Sequence, residues 1–254
     1  MNGELRIQPA DGILDAARHW LQPVREALGG EFLGAYLTGS VLTQGFDPAL
    51  SRVNIMVVTR HLDPDILDRL AGAVPREKKR KKGALQFEPL FVSRRQIEQS
   101  LDVFPIEWLD IQERHLRLEG ENVFDTLDVP RAHLRRQCEH QLRGKNIQLR
   151  QVYVTSKHDS AALEAELSGV ASTFATLFRT LIRLQGETPP TNNGQVIERV
   201  ADMYGLDARG LLCAHLVRYS GEGAYKGEEL AQMYRRFLVE VDRLVHAIDE
   251  LPVR

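Results

Sequence analysis

The sequence predicts an α+β (mixed α/β) protein, a small sheet with flanking helices followed by an all-α helical bundle. Two short apolar runs, FLGAYLTG (32–39) and RVNIMVVT (52–59), are rich in β-branched or aromatic residues and read as buried strands. A third run, ALQFEPLFV (84–92), reads the same way. From about residue 131 the texture changes to long apolar stripes at helical spacing. A chain of 254 residues exceeds the usual domain size, so two domains are expected, 1–128 and 129–254.

The elements follow in order. Residues 11–28, DGILDAARHWLQPVREAL, place Ile13, Leu14, Ala17, Trp20, Leu21, Val24 and Leu28 near helical spacing. Gly29-Gly30 stops that helix, and Pro23 is expected to kink it. LDPDILDRLAG supplies a short helix with an acidic first turn and Gly72 near its end. PREKKRKKG (75–83) is a loop by charge and by its bounding Pro and Gly. Ser93 followed by Gln96 forms a capping box that opens the helix RRQIEQSL. FPIEWLDIQERHLRLEGENVF fits either a strand running into a helix or a helix alone, and a short strand at Ile106 to Ile111 is the expectation.

In the second half, RAHLRRQCEHQLRGKNIQLRQVYV sets Leu134, Cys138, Leu142, Ile147 and Leu149 on one side of a long helix. DSAALEAELSGVASTFATLFRTLIRLQG has Asp159 as N-cap, a stripe from Leu163 through Phe174 and Phe178 to Ile182, and Gly186 at its end. After the loop GETPPTNNG, three further helical segments complete the bundle.

Composition excludes several classes of function. Hydrophobic content of 43% with 27% charged residues is ordinary for a soluble protein, and no apolar stretch approaches the roughly 20 residues of a membrane span. MNGELRIQPADG lacks a basic region followed by an apolar one, so no secretory signal is expected and the expected address is cytoplasmic, with no membrane partner. Cys138 and Cys213 are far apart and read as core thiols rather than as a disulfide or zinc framework. A net charge of -2 gives no global reason to expect nucleic acid. There is no GxSxG, Walker A or GxGxxG motif in a strand-to-helix context.

The stretch YLTGSVLTQGFDPALSRVNIMVV (36–58) carries the chemistry. Phosphoryl and nucleotidyl transfer need a metal bridging phosphates, carboxylates that hold the metal, and backbone N–H groups that cradle oxygen. A Gly-Ser turn beside a strand bearing two acids two residues apart meets that need, because alternation puts both acids on one side. Gly39-Ser40, Gly45, Ser51-Arg52-Val53-Asn54 and Ile55 to Val58 resemble the signature of nucleotidyltransferases of the DNA polymerase β superfamily, a G-S turn followed by S-D-x-D and an apolar run. Both acid positions differ, holding Arg52 and Asn54. The order of a sheet domain and then a bundle also resembles the two-domain, aminoglycoside-type enzymes, in which the bundle helps to hold the acceptor.

The resemblance implies a third carboxylate on a later strand, for which Glu88, Glu107 and Asp110 are the candidates, and Asp47 is a candidate displaced ligand that also fits a turn. It implies Mg²⁺ as cofactor only if the chain is active, and ATP or GTP as the candidate nucleotide. Asn54 offers a neutral oxygen where the family has a charge. Arg52 puts a cation where the metal belongs, a repulsion of roughly 4 kcal/mol at contact distance near a surface. The Arg fork can instead hold a phosphate directly. Gly39, Ser40, Arg52 and Asn54 are therefore the candidate phosphate-binding set, with Ser40 read as the cap of a following helix.

Lys78, Lys79, Arg80, Lys81 and Lys82 form a basic run that reads as a solvated loop tip or a phosphate-binding loop. Arg131, Arg135, Arg136, Arg143, Lys145 and Arg150 make the helix from residue 131 basic as well. Facing the cleft, that helix would add a positive wall suited to a triphosphate or a polynucleotide backbone. His115, His133, His140 and His215 show no metal-ligand spacing and read as scattered surface or half-buried residues. Three functions stay open: a degenerate nucleotidyltransferase with a regulatory or scaffolding role and a protein partner, an active enzyme with a rearranged carboxylate set acting on a small molecule, protein or RNA end, and an RNA- or partner-binding protein.

Overall fold

The computed structural model describes residues 9, 12–43, 46–48, 51–76 and 85–249, and the chain divides into two compact units, 1–129 and 130–254. The basic run at 78–82 and Gly45 lie outside the described residues.

In the first unit, helix α1 (Ile13–Leu28) leads through a 3-10 turn (Gly29–Glu31) into β1 (Phe32–Thr38). A second 3-10 turn (Gly39–Leu42) precedes β2 (Val53–Thr59), and α2 (Pro64–Ala73) connects it to β3 (Phe87–Ser93). Helices α3 (Arg94–Glu98) and α4 (Pro105–Glu113) then precede β4 (His115–Gly120). The sheet order is β3-β2-β1-β4, with β2 and β3 parallel and the other pairs antiparallel.

Both faces of this sheet are covered, which is why the central strands read as continuous apolar runs rather than as an alternation. Ala35, Leu37, Val53, Ile55 and Val57 pack with Trp20, Leu21 and Val24 of α1 and Ile66 and Leu70 of α2. Tyr36, Met56 and Val58 face the other way, into a cluster with Ile97, Trp108 and Phe124. The caps follow the sequence. Asp63 accepts from the Ile66 N–H at 3.0 Å, and Ser93 and Gln96 close the expected capping box.

One expectation fails. Ile106 to Ile111 is helical, inside α4, and the strand comes later, at His115–Gly120. Pro105 stands at the first helical turn, where its fixed φ suits a helix and its missing N–H costs nothing. The Trp108 indole N–H donates to the Ser100 hydroxyl at 2.9 Å and ties α4 to the turn that follows α3.

Tyr36 anchors the far side of β4. Its ring is fully buried, its hydroxyl donates to the Glu121 carbonyl, and it accepts from the Val123 N–H at 3.2 Å. Burial pushes its phenol above the usual range. Tyr36→Phe strands both backbone groups, and urea unfolding is expected to show a loss of about 1–3 kcal/mol.

The second unit is a bundle of α5 (Arg131–Ser156), α6 (Ser160–Leu184), α7 (Asn193–Tyr204), α8 (Ala208–Tyr219) and α9 (Gly227–Asp249). Asp159 caps α6 by accepting from the Ala162 N–H at 3.1 Å. Phe174 meets Phe237 edge-on at 5.0 Å, and the Tyr234 hydroxyl donates to the Leu149 carbonyl at 2.9 Å. The inner stripe of α5 runs Leu134, Cys138, Leu142, Asn146, Leu149. Ile147, expected on that stripe, is 61% exposed. Asn146 takes the inward position at a helical step of four from Leu142 and donates to Asp242 at 3.1 Å. Cys138 and Cys213 are both buried and free, and burial pushes both thiols up. Among the described residues no helix is long and apolar enough to cross a membrane.

Candidate functional site

The turn after β1 is built around Gly39, whose φ of +76° lies in the left-handed region. A Cβ there would stand 2.9 Å from Asn54 Nδ2, so the amide of Asn54 lies directly against the glycine. Ser40 is not a helix cap. The residue preceding the 3-10 turn is Thr38, with no side-chain capping bond, and the Ser40 carbonyl accepts from the Thr43 N–H at 3.0 Å and the Thr43 hydroxyl at 2.8 Å. The local sequence is GSVL, and the turn ends at Leu42 after a single revolution. A full α-helical N-terminus, with its four free N–H groups, therefore does not follow Gly39 directly.

The sheet register sets the surroundings of the turn. Thr38 pairs with Asn54 on β2 and with His115 on β4, and Asn54 pairs in turn with Glu88 on β3. The result is a row, His115–Thr38–Asn54–Glu88, running across all four strands beside the Gly39 turn. Directly opposed residues in neighbouring strands project from the same face. Asn54 and Glu88 are both exposed, and so is Arg52, one residue before β2 and two before Asn54.

The remaining carboxylate candidates are elsewhere. Asp110 lies on α4, where both its oxygens are 2.5 Å from the Arg114 guanidinium. Glu107 is exposed on the same helix, and Asp47 is half-buried in the segment before β2, its carbonyl accepting from the Ser51 N–H at 2.9 Å. The strand row thus holds a single carboxylate, Glu88, together with a neutral amide at Asn54. Among the described residues no group of three His, Cys, Asp or Glu side chains is placed to hold a metal ion. A hard divalent cation such as Mg²⁺ prefers oxygen ligands with compensating negative charge, whereas here the one carboxylate of Glu88 is matched by the positive charge of Arg52.

In the second unit, two of the basic residues of α5 pair with acids and a third bonds a glutamine. Arg143 binds Glu139 at 3.2 Å and also Asp249, Arg150 binds Asp242, and Lys145 donates to Gln148 at 3.0 Å. Arg136 is exposed, and Arg135 is half-buried with Nε and Nη1 unmatched among the described residues. His115 is the member of the row that spacing along the chain could not reveal, since its place depends on which residue of β4 opposes Thr38.

A four-stranded mixed sheet with this turn, followed by a helical domain, is a nucleotidyltransferase-like fold. The structure is similar to that of spectinomycin adenyltransferase AAD(9) from Enterococcus faecialis with ATP and spectinomycin, with a TM-score of 0.58 and 15% identity over 93% of this chain and 98% of that one. A nucleotidyltransferase-like protein from Exiguobacterium sibiricum aligns over 92% of this chain and 75% of its own, with a TM-score of 0.37 and 16% identity. No known protein-family pattern matches the sequence, and no curated protein does.

Proposed function

We propose that this chain is a catalytically degenerate nucleotidyltransferase that binds a nucleotide or phosphate at the Gly39–Ser40 turn without a divalent cation and serves a regulatory or scaffolding role. The observation that carries this reading is the row beside the turn, in which Asn54 and a lone Glu88 stand where metal chemistry needs converging carboxylates. Arg52, exposed immediately before β2, supplies the positive charge in the cation's stead. Gly39, Ser40 and Asn54 supply donors: backbone N–H groups and the Asn54 amide. The ATP held by spectinomycin adenyltransferase AAD(9) makes ATP the first ligand to try here.

Calorimetric titration with ATP and GTP, with and without Mg²⁺, tests this directly. Affinity is expected to be independent of Mg²⁺. Arg52→Ala is expected to weaken it roughly ten- to a hundredfold, corresponding to one charge-assisted hydrogen bond of about 1.5–3 kcal/mol. A Mg²⁺-dependent transfer of label from ATP to any acceptor would establish the active reading instead, with Glu88, Glu107, Asp110 or Asp47 as the residues to mutate next. Salt-sensitive RNA retention with no nucleotide affinity would assign the function to the basic segments.

A further inference from the structure

We propose that His115 is a further ligand-binding residue of this site, its protonated Nε2 donating to an anionic group held at the Gly39–Ser40 turn; this rests on the phosphate-binding reading above. His115 opposes Thr38 directly, and Thr38 is the residue immediately before the turn. Its ring lies on the Tyr36 and Asn54 face of the sheet, edge-on to Tyr36 at 5.6 Å and tilted against Phe124 at 4.8 Å. Nδ1 is 2.9 Å from the Ile111 carbonyl, which can only accept, so Nδ1 carries the hydrogen and the ring is locked in one orientation. Nε2 is the polar atom left over, and it has no hydrogen-bond partner among the described residues. A neutral ring offers an anion only the lone pair at Nε2, whereas a protonated ring offers a donor and a charge.

The charges around the ring leave that switch to His115. Tyr36 and Thr38 on β1 and Phe124 are uncharged near neutrality, with the Tyr36 phenol pushed up by burial. On α4 and at its end, Asp110 and Arg114 are paired with each other. Glu121, beyond β4, is paired with Arg94 at 2.6 Å. Arg117, two residues along β4 and opposite Tyr36, adds a fixed positive charge, and Glu88 stands at the far end of the row. An anion bound at the turn therefore favours the protonated ring, and by reciprocity protonation favours the anion.

The test is titration of ATP without Mg²⁺, and of sulfate as a ligand that does not itself titrate, from pH 5.5 to 8, on the full chain and on His115→Gln. Native affinity for sulfate is expected to rise roughly tenfold or more toward the acid end, the scale of one charge-assisted hydrogen bond gained by the anion. His115→Gln should flatten that slope for sulfate and remove the same factor from the ATP profile. NMR of the unaltered chain gives a readout independent of any folding defect in the variant, because saturating sulfate should raise the pH at which the His115 ring titrates. Binding with the same pH slope in both proteins, and a His115 titration unmoved by sulfate, would overturn this role and leave the phosphate site standing. Absence of ATP and sulfate binding at every pH would overturn both.

Discussion

Arg52→Asp combined with Asn54→Asp is expected to give this chain a divalent-cation site beside the Gly39 turn. Position 54 lies on β2 against the Gly39 turn, and its partner on the parallel strand β3 is Glu88. Position 52 stands immediately before the strand, two residues from position 54, and an extended continuation of β2 brings its side chain to the same side. The double substitution removes one positive charge and adds two negative ones beside an existing carboxylate. Mg²⁺ typically takes one or two protein carboxylates together with water and phosphate oxygens, so three acids at one strand end suffice. Addition of Mg²⁺ should leave the melting temperature of the native chain unchanged. At about 100 times Kd it should stabilise the variant by about 2.7 kcal/mol. Without the cation the variant should be less stable than the native chain, since its carboxylates repel one another. If both proteins ignore Mg²⁺, positions 52, 54 and 88 do not converge and the degenerate-site reading loses its geometric basis.

Much of this arrangement is legible along the chain. Val53, Ile55, Met56, Val57 and Val58 announce a strand because both faces of β2 are buried, and Gly39 announces the turn because only glycine takes its φ without strain. What is not legible is register. The sequence offers Glu88, Glu107 and Asp110 as equal candidates, and only the pairing of β3 with β2 separates them, placing Glu88 beside Asn54 while Asp110 turns to Arg114 one helical step away. The place of His115 opposite Thr38 is hidden for the same reason. The strand that carries it hides behind WLDIQERHLRLEG, where apolar and charged residues fit helix and strand alike, and Pro105 tips the first part to helix. Ser40 shows a different limit. A Gly-Ser pair after a strand has the composition of an N-cap, but the chain completes only one 3-10 revolution before leaving at Thr43.

Gly120→Ala is expected to be the most damaging small substitution in the first unit, by about 2–5 kcal/mol. Gly120 ends β4 at a φ of +87° and pairs with Gly34 across β1. A Cβ there would stand 2.2 Å from the Leu33 carbonyl oxygen and 2.6 Å from Gly34 Cα. Both are backbone atoms of a central strand and cannot swing aside as a side chain tip would. The left-handed conformation costs an alanine roughly 1–2 kcal/mol and overpacking a further 1–3 kcal/mol. Relief requires β4 to pull away from β1, which also releases the Tyr36 hydroxyl from the Glu121 carbonyl next along the chain. Gly72 on α2, Gly144 on α5 and Gly169 on α6 supply the internal contrast, since a Cβ at each meets nothing within 4 Å. Their alanine variants should be stabilised by about 0.5–1 kcal/mol through helix propensity alone. Chemical denaturation of the four single variants checks both signs. A Gly120→Ala protein as stable as the native one would mean that β1 and β4 do not approach as closely as the Gly34–Gly120 pair requires, and the place of His115 opposite Thr38 would fall with it.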